Sequence, residues 1–167
     1  MMKTRFLMLA MMMCIAAMTF SACSDDDNDD KGINVPESVA QALKQRYPSA
    51  TGIEWKQKKS YYVADCWLDG KESNIWFDAS ANWQMTESEL YWNDVPAAVQ
   101  TAFANGEYAN WVQDDYYFLF YPLQPMQYVI EVEQGKLKYQ LFYSEDGGFM
   151  NTVDVSGKDD TIYPPEV

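Results

Sequence analysis

Two stretches of the chain change from a helical to a strand-like spacing of apolar residues. The segments 35–39 (VPESV) and 95–99 (VPAAV) lie 60 residues apart, and each begins a helical pattern. Apolar residues then recur at helical spacing, as Val39, Ala42, Leu43 and Tyr47 in the first stretch and as Val99, Ala102 and Phe103 in the second. Each helix therefore has one apolar face. After each helix the period drops to two, which predicts β-strands.

The residues before the two helices predict where the helices start. Asn34 and Asp94 are types that cap helix N-termini, and we expect them to do so here. Pro36 and Pro96 would then occupy the first turn, where proline is tolerated because its missing N–H has no partner in any helix.

Two short turns predict the strand register in each unit. Asp69-Gly70 is a strong two-residue hairpin signal that pairs residues 61–68 with residues 71–78. The predicted partners are Leu68/Lys71, Cys66/Ser73, Ala64/Ile75 and Tyr62/Phe77. Gly135-Lys136, read as a turn with glycine first, gives Val132/Tyr139, Ile130/Leu141 and Tyr128/Tyr143.

Alternation along these strands assigns two faces to the sheet. The face covered by the helices takes Tyr62, Ala64, Cys66, Ile75, Phe77, Tyr128, Ile130, Val132, Leu141 and Tyr143. Cys66 has Val132 as its counterpart in the second unit, which predicts a buried apolar cysteine rather than a catalytic or metal-bound thiol.

The opposite face differs between the two units. In the second unit it carries Val129, Glu131, Glu133, Lys138, Gln140 and Phe142, with Glu133 facing Lys138, which is typical of a solvated surface. In the first unit the same positions hold Val63, Asp65, Trp67, Glu72, Asn74 and Trp76. Two tryptophans and a valine are costly to leave in water, so two interpretations stand. Another part of the chain covers them (the other unit, the loop 121–127 or the Tyr91-Trp92 connector), or they form a binding face anchored by Trp67 and Trp76.

The two units define the predicted fold. The helices align at an offset of 60 and the hairpins at 66, because the second unit has about six extra residues in a loop near Tyr121–Gln127 that contains Pro122 and Pro125. We predict an α+β domain over residues 33–167, built as a tandem repeat of one helix plus a roughly four-stranded antiparallel sheet, with the helices on one face. Repeat one covers about residues 34–90 and repeat two about 94–155.

The N-terminus predicts secretion. Residues 1–22 contain Lys3 and Arg5 followed by an apolar run, the pattern of a signal peptide. Small residues before Cys23 resemble a bacterial lipobox, which makes Cys23 the lipidated mature N-terminus. The alternative is a spanning helix over residues 6–22, at the short end of the range. Residues 23–32 are predicted to be a disordered acidic tether, and this tract also resembles a lipoprotein surface-export signal. It does not fit a calcium loop, because Asp30 and Pro36 stand where such a loop needs glycine and glutamate.

Composition narrows the chemistry. The chain has 12 basic and 25 acidic residues, a net charge of −13, and no histidine, which excludes histidine-based nucleophile systems and histidine metal sites. The negative charge makes nucleic acid an unsuitable partner. The sequence also contains no phosphate-binding glycine loop. Because histidine is absent as well, we expect no cofactor, no metal and no catalytic residue. The carboxylate pairs Asp114-Asp115, Glu87/Glu89 and Glu145-Asp146 fall in turn-like or strand-end contexts, where acidic residues are commonly solvated.

These motifs together resemble the PepSY-like, beta-lactamase-inhibitor-like periplasmic family of Bacteroidota. The resemblance covers about residues 33–155 and rests on the paired VPxxV helices, 76–78 (WFD), 83–86 (WQMT), 128–133 (YVIEVE) and 142–147 (FYSEDG). It implies two helices on one face of antiparallel sheet and a free opposite face. It implies no established activity, and no motif here carries over the contacts of a beta-lactamase inhibitor.

Three functions follow from these observations. The first is an envelope-anchored, non-catalytic binding or inhibitory module for a protein or peptide, acting through the aromatic sheet face. The second is a glycan-binding surface lipoprotein, and the third and least favoured is a hydrolase that uses carboxylates. The expected location is the cell envelope, as an outer-membrane lipoprotein that is surface-exposed or otherwise periplasmic.

Overall fold

The computed structural model describes residues 33–165, so the predicted signal peptide, Cys23 and the whole acidic tether lie outside the described residues. Each of two α-helices is followed by four β-strands. In chain order the elements are α1 (Glu37–Arg46), β1 (Thr51–Lys58), β2 (Tyr61–Leu68), β3 (Lys71–Phe77), β4 (Trp83–Glu89), a 3₁₀-helix (Trp92–Asp94), α2 (Ala97–Ala104), β5 (Val112–Phe120), β6 (Gln127–Gln134), β7 (Leu137–Ser144) and β8 (Phe149–Asp154). Within residues 33–165 no helix is long and apolar enough to cross a bilayer.

All eight strands form one antiparallel sheet in chain order, β1 to β8. This confirms the α+β class. The two groups of four strands do not form separate sheets, because β4 pairs directly with β5, with Thr86 opposite Phe120 and Glu89 opposite Tyr117. The edges of the sheet are therefore β1 and β8.

Both predicted hairpin registers are confirmed, pair for pair. Asp69 and Gly70 have φ values of 51° and 81°, the positive angles that a two-residue turn matching the strand twist requires at both central positions. Gly135 has φ 67° at the first position of the other turn. The loop between β5 and β6, at residues 121–126, is where the extra residues were expected.

The helices cover one face of the sheet, as predicted. Against α1 lie Ala64, Cys66, Ile75 and Phe77, packed on Val39 and Leu43. Against α2 lie Ile130, Val132, Leu141 and Tyr143, packed on Val99 and Phe103. Each large apolar side chain buried here stabilises the fold by about 1.5–3 kcal/mol. Cys66 is 2% exposed, so its assignment to the core is confirmed.

The predicted helix caps are wrong. The N-cap residues are Pro36 and Pro96, and neither helix has a side-chain cap hydrogen bond. The carbonyl of Pro36 accepts the N–H groups of Val39 and Ala40, so the proline backbone takes the place expected of Asn34. Asp94 instead ends the 3₁₀-helix, and its carboxylate pairs with Lys71.

The opposite face is neither free nor solvated along its whole length. Residues 155–165, here called the C-terminal segment, pack across it, with Ile162 8% exposed in a cluster with Val63, Trp76 and Val129. The Tyr163 and Trp76 ring centroids are 5.5 Å apart. Within the same cluster lie Met85, Leu119 and Tyr121, and we call these seven buried residues the covered region.

The expectation of a solvated surface in the second unit is wrong for a clear reason. Glu131 and Gln140 are 1% and 2% exposed, and Gln140 donates to Glu131 and to the carbonyl of Asp160 in the C-terminal segment. Glu133 does stand opposite Lys138 in the register. However, the Lys138 ammonium lies 2.7 Å from Glu131, 2.9 Å from Asp160 and 3.1 Å from Asp114. Because Asp160 belongs to the C-terminal segment, this lysine holds the segment against the sheet.

Candidate functional site

Trp67 remains on the surface near the tip of the β2–β3 hairpin. It is 50% exposed and stands opposite Glu72 on β3. On the other side of Trp67, its pairing partner is Thr51 of β1. The next residue, Gly52, has φ 63° and lies where the register of β1 is irregular. A Cβ at Gly52 would lie 3.4 Å from Cδ1 of Trp67. The indole of Trp67 therefore packs closely against the backbone of Gly52.

A cavity of about 180 Å³ opens beside this ring. We call it the Trp67 cleft, and it is lined by Trp67, Gly70, Lys71, Glu72, Glu89, Leu90 and Tyr91. Tyr91 is 78% exposed. Its carbonyl accepts the N–H of Asp94 at 2.8 Å, and the N–H of the preceding residue, Leu90, donates to the carbonyl of Tyr116 at 2.8 Å. The Lys71 ammonium is 2.5 Å from Asp94, so its charge is already paired.

A second cavity of about 170 Å³ adjoins the cleft. We call it the acidic pocket, and it is lined by Asp65, Glu72, Ser73, Asn74, Glu87, Glu89 and Tyr117. Glu72 and Glu89 line both cavities. Asp65 is paired with Lys56 at 2.5 Å, whereas within residues 33–165 Glu72 and Glu89 form no ion pair. The pocket thus concentrates negative charge.

Glu87 forms the buried wall of the acidic pocket. It is 8% exposed, and its Oε1 accepts a hydrogen bond from Nδ2 of Asn74 at 3.0 Å. Burial raises the pKa of its carboxyl to about 7; Asn74 and Lys58 lower the value, and Glu131 and Asp160 raise it further. Burial, Asp115 and Glu72 also raise the pKa of Glu89 above its ordinary value. Burial is therefore the main cause that disfavours the charged forms of Glu87 and Glu89.

A third cavity, of about 200 Å³, lies on the covered side of Glu87. Asn74, Glu87 and Tyr117 line both this cavity and the acidic pocket, while Trp76, Asp160 and Ile162 close it toward the C-terminal segment. Nε1 of Trp76 is buried there and has no hydrogen-bond partner among the residues that the structure describes. Glu87 therefore stands at the boundary between the open and the covered parts of this face.

A different carboxylate cluster lies further along the sheet. Asp114, Asp115 and Glu131 can bring one oxygen each within 4.8 Å of the others, close enough to hold a metal ion. The Lys138 ammonium already lies 2.7 Å from Glu131 and 3.1 Å from Asp114. Although burial of Lys138 lowers its pKa, hydrogen bonds to Glu131, Asp160 and Asp114 raise the pKa above its ordinary value. A lysine therefore supplies the positive charge of this cluster.

The structure divides the six residues of the predicted binding face. Trp67 and Glu72 are exposed, and Asp65 and Asn74 are half-buried around the acidic pocket. Val63 and Trp76 are each 1% exposed. The interpretation that the chain covers these apolar residues is thus correct for Val63 and Trp76, with Tyr121 of the 121–127 loop contributing. The principal cover is the C-terminal segment. The Tyr91-Trp92 connector does not cover them, because Trp92 packs on the helix face against Phe103 and Tyr116.

Sequence reasoning did not place Glu87, Glu89 and Tyr91 in a site. Glu89 is the last residue of β4, and Asp114 and Asp115 lie near the start of β5, so these carboxylates do stand close to strand ends. Glu87 is not solvated as expected, because it is 8% exposed within β4. Only Glu145-Asp146 lies in a turn. The register of β3 against β4, which sets Glu87 opposite Asn74, would have located them. The connection between β3 and β4 has no two-residue turn from which this register could be predicted.

Comparison with known proteins gives a consistent group of relatives. Residues 60–151 match the family model described as "Putative beta-lactamase-inhibitor-like, PepSY-like". A BLIP-like protein from Bacteroides fragilis is 48% identical, with a TM-score of 0.76 over 83% of this chain and 99% of that one. A DUF2874 family protein from Bacteroides ovatus is 36% identical, with a TM-score of 0.74 over 77% and 94%.

A third solved structure, from Bacteroides eggerthii, bears the description "putative periplasmic proteins". It is 32% identical, with a TM-score of 0.72 over 76% of this chain and 94% of that one. Among curated proteins, none matches this chain.

Proposed function

The chain belongs to the PepSY-like, beta-lactamase-inhibitor-like family, and from this membership and the Trp67 cleft we propose that it is a non-catalytic module that binds a protein or peptide. The proposed contact surface is the Trp67 cleft with the acidic pocket beside it. Membership of the family supports a binding role in general, and the residues of the site support the kind of partner, because a fold does not determine a function by itself.

The exposure of Trp67 and Tyr91 on one cleft is the observation that carries this proposal. They are 50% and 78% exposed, whereas Trp76, two positions from Asn74 on β3, is 1% exposed. Large aromatic side chains are enriched at the centres of protein interfaces, because they bury much area at little entropic cost. A partner that covers both rings would remove from water the apolar surface that the chain itself leaves uncovered.

Each of the two cavities has a volume that suits one side chain. They measure about 180 and 170 Å³ separately, whereas small-molecule sites usually span about 300–1,000 Å³. The hydrolase is therefore less favoured, although Glu72, Glu87 and Glu89 do converge on one pocket. A neutral glycan has no positive charge to match these carboxylates, so it would gain less there than a cationic group.

The proposed location is the cell envelope, with the mature protein tethered through lipid on Cys23. The apolar run and the lipobox-like residues before Cys23 support this, and a relative at 32% identity is described as periplasmic. The tether of residues 23–32 would then separate the domain from the outer membrane, on either of its sides.

We also propose that the two halves are copies of one unit, as the sequence predicts. The strands β2, β3 and β4 begin at residues 61, 71 and 83, and β6, β7 and β8 begin 66 positions later, at 127, 137 and 149. The Trp67 cleft then has a counterpart in the second half, where Glu133 and Lys138 stand at the positions of Trp67 and Glu72.

Site-specific photo-cross-linking tests the proposed function. A photo-reactive amino acid at position 91, in the cleft, and the same amino acid at position 149, where Phe149 is 56% exposed elsewhere, are compared in intact cells. We expect position 91 to give an adduct of defined mass that Trp67→Ala abolishes and that position 149 does not give. Identical adducts from both positions, or an adduct insensitive to Trp67→Ala, would contradict the proposal.

A further inference from the structure

The acidic pocket has more negative charge than its own cations neutralise. Within the described residues, the lysines nearest the pocket already have partners. Lys56 pairs with Asp65 and Lys71 pairs with Asp94, while Lys58, which lies on the covered side of Glu87, donates to Oγ1 of Thr161. Glu72 and Glu89 have no such partner, although both line the pocket and the Trp67 cleft. A cation from outside the chain would be attracted to this position.

Glu87 adds a buried acceptor that points to the same ligand. It is 8% exposed, and Asn74 donates to its Oε1. Within residues 33–165 its Oε2 accepts no hydrogen bond. A charged donor that enters the pocket can therefore form a hydrogen bond with this oxygen.

The walls of the cleft suit the rest of a basic side chain. Trp67 and Tyr91 can contact the methylene groups of lysine or arginine and attract the charge through their π faces. The molecule already makes such contacts elsewhere: the Arg46 guanidinium carbon lies 3.4 Å from the Trp83 ring centroid, and Lys59 Nζ lies 3.7 Å from that of Tyr163.

From this charge complementarity we propose that the cleft receives a lysine or arginine side chain from a basic segment of the partner protein. The stem passes between Trp67 and Tyr91, and the charged end binds Glu72, Glu89 and the buried Glu87. The inference rests on the proposed function, because it specifies the chemistry of the partner at the same surface.

Two synthetic peptides test this directly. One is a glycine-serine peptide of 11 residues with two lysines, and the other has norleucine at both lysine positions, so that only the charge differs. The ¹⁵N–¹H signals of the tryptophan indoles are followed during titration of the purified protein with each peptide. We expect the lysine peptide to shift the Trp67 signal and to bind at least tenfold more tightly than the norleucine peptide.

Matched variants separate local recognition from general attraction to a negative protein. Glu72→Gln with Glu89→Gln removes two pocket charges, and Glu107→Gln with Glu145→Gln removes two exposed charges elsewhere. The first pair should weaken binding of the lysine peptide at least tenfold, and the second by less than twofold. All four positions are exposed, so the variants should fold as the parent does.

The outcomes distinguish this inference from the function beneath it. Equal binding of the two peptides, binding by neither, or equal weakening by both variant pairs would overturn the basic-side-chain inference. If the inference fails but the cross-linked adduct still requires Trp67, the proposed function is supported. Loss of the Trp67 dependence would instead overturn the proposed function itself.

Discussion

The segments that follow β4 and β8 leave the sheet toward opposite faces. After β4, Leu90 and Trp92 pack on the helix face and the chain continues into α2. After β8, Ile162 and Tyr163 pack on the opposite face against Trp76. The end of the sheet at the β2–β3 turn therefore stays open, while the covered region is sealed by the chain itself.

This difference explains how charged residues are paired in the covered part and in the open part. In the covered part, Lys138 is bound by Glu131, Asp114 and Asp160, and Glu131 is 1% exposed. In the open part, Lys71 pairs with Asp94, and no cation of residues 33–165 pairs with Glu72 or Glu89. The covered charges stabilise a closed structure, and the open ones are available to a partner.

The largest expected contrast is between the two tryptophans. Trp76→Ala removes a fully buried ring, which should lower the free energy of unfolding by about 4 kcal/mol. Trp67→Ala, at a half-exposed position, should lower it by less than about 1 kcal/mol. Urea denaturation of both variants measures this, and similar losses for the two would refute the division into covered and open parts.

The next largest difference in stability should be between variants of Lys138 and Lys71. Lys138→Met leaves the buried Glu131 without its cation, which should cost about 3 kcal/mol. Lys71→Met breaks a pair whose partners are 33% and 45% exposed, and should cost less than about 1 kcal/mol. Denaturation again measures both, and adding Glu131→Gln to Lys138→Met should recover part of the loss. An additive double variant would show that Lys138 and Glu131 are not coupled.

The pH dependence of stability should show a smaller contrast. Burial raises the pKa of Glu87 to about 7, above the ordinary value of 4.5, so the folded state binds the proton more tightly than the unfolded state. Its contribution is complete below about pH 4.5 and is lost as the pH rises through 7, at a cost of about 2–3 kcal/mol.

Glu87→Gln should therefore raise stability at pH 8 more than at pH 4 and flatten the profile between pH 5 and 7. Part of the slope should remain, because burial also raises the pKa of Glu131. The exposed Glu107→Gln variant serves as the control and should leave the slope unchanged. A Glu87→Gln profile parallel to that of the parent would show that Glu87 does not titrate in this range.

Local signals explain which parts of the fold the sequence could predict. The registers of the two hairpins follow from the two-residue turns at Asp69-Gly70 and Gly135-Lys136 together with alternation, so all seven predicted pairs are correct. The helix faces follow from spacing alone. The capping residues failed because the Pro36 and Pro96 backbones begin the helices, a choice that capping preference alone cannot resolve.

The site was only partly predictable, because its limits depend on contacts between distant residues. Trp67 and Glu72 could be placed on one face by alternation, whereas the cover over Trp76 comes from Ile162 and Tyr163, about 86 residues later in an irregular segment. No periodic pattern marks that segment. The pairing of β4 with β5 is similarly non-local, so Glu87 was not expected to be buried.

The most direct test of the account is the solvent exposure of the two indoles in one sample. A soluble paramagnetic gadolinium chelate, added to ¹⁵N-labelled protein, broadens the signals of exposed groups. We predict strong broadening of the Trp67 indole signal and little effect on that of Trp76, which the C-terminal segment covers. Equal broadening of both signals, or protection of both, would contradict the division of this face into an open cleft and a covered region.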